Sequence, residues 1–171
     1  MPKILVTPLS AIDDAIAQHR PSHMVTLLSP DHMIEVHPVL GEERHLRLGV
    51  QDIVDISAGD TPPAAKHVLT LLEFARDWDA ASPMLVHCWA GISRSTAAAF
   101  IVACDRLGPG NEVALAQMLR SRAAHAAPNR LMVQIGDDIL GRRGKMVDAI
   151  EAIGRGAIAV EGKPFELPVS I

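Results

Sequence analysis

The chain has too few cysteines for a disulfide framework: Cys88 and Cys104 are the only two in 171 residues, a length that buries a substantial core without covalent staples. It also lacks any excess of positive charge. Sixteen Lys and Arg against twenty Asp and Glu leave a net charge of −4, and without a basic face no nucleic-acid partner is expected. No apolar stretch approaches the ~18 residues of a spanning helix. Met1-Pro2-Lys3-Ile4-Leu5-Val6-Thr7-Pro8 is too short in its apolar run to be a signal peptide, so no membrane partner is expected. The eight histidines show no metal-ligand spacing. His19, His23, His32, His37, His67 and His125 read as surface or packing residues, and neither metal nor cofactor is expected. Repeats, low-complexity segments and linkers are missing too, which predicts a single catalytic domain over 1–171.

What is present is concentrated in nine residues, His87-Cys88-Trp89-Ala90-Gly91-Ile92-Ser93-Arg94-Ser95. Met84-Leu85-Val86 before them form a short apolar run of strand type, and the stretch from Ser95 to Cys104 reads as a buried helix. The segment is therefore predicted as strand, tight loop, helix. In that arrangement the loop N–H groups converge into an anion-binding nest, and the helix N-terminus adds the positive end of its macrodipole. A dianion such as phosphate, sulfate or vanadate fits there.

Each residue type in the loop has a chemical reason. A helix N-terminus and a nearby Arg favour the thiolate, which makes Cys88 a nucleophile. Arg94 offers a planar fork for two phosphate oxygens, which the point charge of a Lys could not match. Gly91 allows backbone angles closed to other residues. Ser95 can donate to the Cys88 sulfur and help it leave, and His87 orders the loop through its ring. Trp89, Ala90, Gly91, Ile92 and Ser93 line the substrate side with Arg94. The residues read as a phosphatase, and a thiol nucleophile points to a reducing cytoplasm.

The pattern HC-x-x-G-x-S-R-S resembles the signature loop of the Cys-dependent protein tyrosine phosphatase superfamily, in particular its compact dual-specificity branch. Arg122-Ala123-Ala124-His125-Ala126-Ala127-Pro128-Asn129 looks like the family's R-P-x-A-x-P-N stretch, with Ala123 in place of the usual Pro. The resemblance implies that Arg122 and Asn129 support the loop from behind; Asn129 also reads as a helix N-cap. Upstream, His45-Leu46-Arg47-Leu48-Gly49-Val50-Gln51-Asp52 looks like the strand and loop that carry the family's general acid. No loop residue can protonate a leaving alkoxide, so a carboxyl group must reach in from a strand end. Asp52 is preferred by that placement; Asp55 is its rival, and Asp60 is more simply part of a helix cap.

The implied activity is hydrolysis of phosphomonoesters through a phosphocysteine intermediate, on phosphotyrosine or with dual specificity. Substrates would be phosphorylated proteins or small phosphomonoesters. The chain has no Tyr and only 3% aromatics, and nothing in it looks like the phosphotyrosine-recognition loop of the larger family members, so a shallow site is implied. Two other classes compete: a rhodanese-type sulfurtransferase and a non-catalytic phosphate-reading scaffold. Gly91, Ser95 and Pro128-Asn129 argue against the first, and retention of Cys88 and Arg94 against the second.

Periodicity predicts strands at Ile4–Thr7, Met24–Leu28, Ile34–His37, His45–Val50 and Met84–His87. Helices are expected from a capping box at Ser10–Asp13 to near Pro21, from Asp60 to about Asp79, and over Ser93–Leu107. Three more follow at Glu112–Ala124 capped by Asn111, Arg130–Leu140 and Lys145–Ile153, with a surface tail from Gly154 to Ile171. The order predicts an α/β fold with a single central sheet flanked by helices, the phosphatase-like fold. Cys104 reads as core, Asp137-Asp138 as a solvated pair, and Arg142-Arg143-x-Lys145 as favourable charge at a helix C-terminus.

Overall fold

The computed structural model describes residues 1–56 and 60–170. Strands β1 (Lys3–Pro8), β2 (His23–Leu28), β3 (His45–Gly49), β4 (Met84–Cys88) and β5 (Phe165–Pro168) form one mixed sheet in the order β3-β2-β4-β1-β5. The first four run parallel, and β5 pairs antiparallel with β1. β4 is buried along its whole length, because helices cover both faces of a parallel sheet. Alternation divides the two faces. Leu5, Met24 and Leu85 face helix α1 (Ile12–His19), while Ile4, Val6, Val25, Leu27, Met84 and Val86 join the larger core on the other side.

That larger core is built on α2 (Ala65–Asp77), α3 (Arg94–Leu107), α4 (Glu112–Arg122), α5 (Arg130–Leu140) and α6 (Lys145–Ala152). In α3 every residue from Arg94 to Cys104 is buried, so its first three turns have no solvent face. The approach of α5 to α3 requires Gly136, where a Cβ would come within 2.9 Å of Ile101. Among the described residues no helix is long and apolar enough to cross a membrane.

Several expectations are corrected. Ile34–His37 is not a strand: its backbone serves side chains of β3, with Ile34 accepting from Arg47 and His37 donating to His45. The first helix begins at Ile12 after a 3₁₀ turn, and the Ser10 hydroxyl donates to Glu161 of the tail instead of capping it. α2 begins at Ala65, since Pro62 and Pro63 hold the chain extended; His67 accepts the Ala64 N–H at 3.0 Å. Asn111 does not cap α4 but donates back to Leu107 and Gly108. The tail is no mere surface segment, for it supplies β5 with buried Leu167 and, just after it, buried Val169; its last residue, Ile171, lies outside the described residues. Asp137 is buried and accepts the Gly144 and Met146 N–H groups, and Arg142 is buried against Glu112 and the Cys104 carbonyl.

Candidate active site

Parallel strands end at one edge of the sheet, and β4 ends there on Cys88, beside Pro8 at the end of β1. The chain then turns through Trp89–Ser93 into α3. Gly91 makes the turn possible twice over: its φ is +69°, and a Cβ would meet the Pro8 nitrogen at 2.6 Å and the Thr7 carbonyl carbon at 2.8 Å.

The loop's carbonyls are bonded to the surrounding protein. Trp89 accepts the Leu9 N–H at 3.1 Å, Ala90 accepts Gly162 at 2.7 Å, Ile92 accepts Ala127 at 3.0 Å, and Ser93 accepts Asn129 at 3.1 Å. The His125 ring lies against the Gly91 carbonyl, which favours its charged form, but burial prevails and its pKa is lowered. Because each trans peptide points its N–H opposite its C=O, carbonyls held outward turn N–H groups inward. Sγ of Cys88 stands among them: the Gly91 N–H donates to it at 3.3 Å, and Ser95 Oγ lies within hydrogen-bonding distance at 3.2 Å.

Arg94 opens α3 with its side chain buried; Nη1 donates to the Val50 carbonyl at 2.9 Å. Its Nε is also buried and has no hydrogen-bond partner among the described residues. A buried guanidinium donor without an acceptor is costly unless an oxyanion takes it. Arg94 lines a cleft of about 230 Å³ with Leu28, Ser29, His32 and Trp89. Trp89 faces the rim, half exposed, with its ring edge-on to His32 at 5.4 Å. His87 is fully buried: Nε2 meets Thr26 Oγ1 at 2.7 Å and Nδ1 meets the Cys88 carbonyl at 3.2 Å. Burial, with a smaller push from Arg94, lowers its pKa to about 4 against the effect of that carbonyl.

Asp52 lies on the connection after β3 with Oδ1 accepting from Ser93 Oγ at 2.7 Å and Asn129 Nδ2 at 2.9 Å. Asn129 also caps α5 through Met132 at 3.0 Å. The structure thus brings Cys88, Arg94, Ser95, His87 and Asp52 to one edge of the sheet. Arg122 does not support the loop; it is exposed and lies near Glu166. Arg120 holds the segment behind the loop instead, donating to the carbonyls of Ala123, Ala124, Ala126, Ile153 and Gly154. Nothing in the sequence separates the two arginines, because positions two apart on a helix face different ways. Thr26 and Gly162 carry no motif and were equally invisible there. Among the described residues no group of three or more His, Cys, Asp and Glu is placed to hold a metal ion.

The protein-tyrosine phosphatase family model matches residues 57–126, a span that contains the loop, both cysteines and Arg120. The matched stretch holds the loop that resembles the signature of that family. The fold is similar to that of solved dual-specificity-like phosphatases. DUSP15 superposes with a TM-score of 0.62 at 18% identity, covering 91% of this chain and 96% of that one. The PTP-2 phosphatase of Cydia pomonella gives 0.57 at 18%, over 78% and 83% of the two chains. Tk-PTP in its active form gives 0.52 at 17%, over 80% and 89%. No curated protein matches the chain in sequence. Asp52 and Asn129 fall outside the matched span.

Proposed function

We propose that this chain, as one catalytic domain, hydrolyses phosphotyrosine and related phosphomonoesters, with dual specificity, through a phosphocysteine intermediate. The observation that carries the reading is the loop around Cys88, with its carbonyls bonded outward and its sulfur among inward N–H groups beside the Nε of Arg94, which has no partner among the described residues. Phosphate, sulfate or vanadate would occupy that cradle. In the first step the Cys88 thiolate attacks phosphorus while the ester P–O bond breaks, and Asp52 gives its proton to the leaving oxygen. In the second, water attacks phosphorus, its proton goes to the Asp52 carboxylate, and the S–P bond breaks to release phosphate. A thiolate has no proton of its own, so the Ser95 hydroxyl 3.2 Å away is then the donor that stabilises it as a leaving group. Arg94 and the loop N–H groups follow the equatorial oxygens through both steps. Such a thiol fits a reducing cytoplasm.

The test is release of p-nitrophenol from its phosphate ester by the unaltered chain and by Cys88→Ser. Turnover should disappear in the variant while vanadate or phosphate binding persists, because a serine oxygen is a poorer nucleophile and leaving group but the cradle remains. Appreciable turnover by the variant would overturn the covalent route. Thiocyanate formation from thiosulfate and cyanide, with no phosphatase activity, would instead identify a sulfurtransferase.

A further inference from the structure

Behind the loop, His87 is the near end of a buried chain of hydrogen bonds. Thr26 of β2 lies directly across from His87 of β4, and His45 of β3 is its diagonal neighbour on the other side. Thr26 Oγ1 is 2.8 Å from His45 Nε2 and 2.7 Å from His87 Nε2, and all three side chains are buried. The far end is fixed by the backbone: the N–H of His37 donates to His45 Nδ1 at 2.9 Å.

The protons in this chain have one consistent arrangement. A backbone N–H can only donate, so His45 Nδ1 is unprotonated and its ring carries its proton on Nε2. That proton goes to Thr26 Oγ1, which leaves the single hydroxyl proton of Thr26 for His87 Nε2. His87 then holds its own proton on Nδ1, facing the Cys88 carbonyl, which can only accept. Both ends dictate the same direction.

We propose that Thr26 and His45 are positioning residues for the nucleophile: the relay from His45 through Thr26 locks His87 as the Nδ1–H tautomer, and this holds the Cys88 carbonyl away from the anion cradle. The proposal rests on Cys88 being the nucleophile of the reaction above. Its physical content is in the peptide that joins Cys88 to Trp89. A carbonyl drawn toward His87 points the Trp89 N–H the opposite way, into the loop. With the other tautomer, a ring lone pair would face the carbonyl oxygen at 3.2 Å, and the peptide would have to tilt.

The surroundings keep the rings neutral. Arg94 faces His87, while Arg47, His37 and His87 face His45; beyond them Asp13 lies 3.5 Å from His37 Nε2. Burial above all, with the Arg94 guanidinium beside His87 and the Arg47 guanidinium near His45 adding to it, lowers both rings to about 4, so the arrangement persists across the neutral range.

Two measurements test it, neither of which needs turnover. Imidazole ¹⁵N NMR of the full chain should show His87 as Nδ1–H and His45 as Nε2–H; finding His87 as Nε2–H overturns the proposal. Thr26→Val should lose the pure His87 tautomer, slow iodoacetamide alkylation of Cys88 by on the order of tenfold, and move its pH profile upward, with Thr26→Ser restoring all three. Wild-type alkylation and tautomer in Thr26→Val would also overturn it. Should Thr26→Val fail to fold, the wild-type tautomers and Thr26→Ser still decide. A chain that shows the tautomers and the alkylation effect but hydrolyses no p-nitrophenyl phosphate would sink the phosphatase reading and spare the relay; normal turnover with the wrong tautomer would do the reverse.

Discussion

The side-chain amide of Asn129 donates to Oδ1 of Asp52 at 2.9 Å, which ties the connection after β3 to the N-cap of α5. Ser93, inside the loop, reaches the same oxygen at 2.7 Å. The carboxyl group is thereby held at the loop's edge through one oxygen, and a protonated Asp52 would donate through the other.

A general acid should matter most for poor leaving groups. Asp52→Asn is expected to lower kcat on an alkyl phosphate by about 10²–10⁴-fold, to affect p-nitrophenyl phosphate far less, and to flatten the basic limb of the pH–rate curve. Steady-state kinetics on both esters, with Asp55→Asn in parallel, checks the assignment. If Asp55→Asn carries that signature, the acid is Asp55.

The tail should prove part of the site. A Cβ on Gly162 would meet the His125 ring and the Gly91 carbonyl at 2.6 and 2.8 Å, so Gly162→Ala must push the tail from the loop. The cost should be about 1–3 kcal/mol of stability, and the loosened Ala90 carbonyl should lower kcat as well. Thermal unfolding and turnover measured together test this; an unchanged kcat would mean that the tail leaves the cradle unaffected.

Glu112 and Arg142 form a buried ion pair at 2.6 Å. Burial alone would raise the Glu112 pKa, but the hydrogen bond from Arg142 and the bonds from backbone groups hold it below the ordinary carboxylate range. A carboxyl depressed in the folded state stabilises above its unfolded pKa of about 4.3, and this is lost as pH falls through the lower folded value. Urea titrations should therefore show stability declining below that range in the wild type. Glu112→Gln should cost about 3–5 kcal/mol at neutral pH and weaken that decline.

The two thiols should differ sharply. Burial, with Glu112 adding to it, pushes the Cys104 thiol up to about 12, and its side chain has no exposure. Brief iodoacetate treatment followed by mass mapping should find Cys88 modified first, with vanadate protecting it. Labelling of Cys104 before Cys88 would contradict the assignment of the nucleophile.

The sequence alone determined the strand, loop and helix around Cys88, because a buried strand, a glycine turn and an apolar helix each have a local signature, and cysteine, arginine and serine occur at fixed spacing within one short loop. It likewise determined the Asn129 cap, whose side chain bonds the N–H three residues on. Tertiary structure decided what depends on partners far away in the chain. Phe165–Pro168 became a strand because β1 offered it an edge, and Arg142 was buried because Glu112 stood opposite. Arg120, not Arg122, gathers the carbonyls behind the loop because of where its face of α4 points. The backing of His87 by Thr26 and His45 comes from strands laid side by side, and cross-strand neighbours leave no trace in linear spacing.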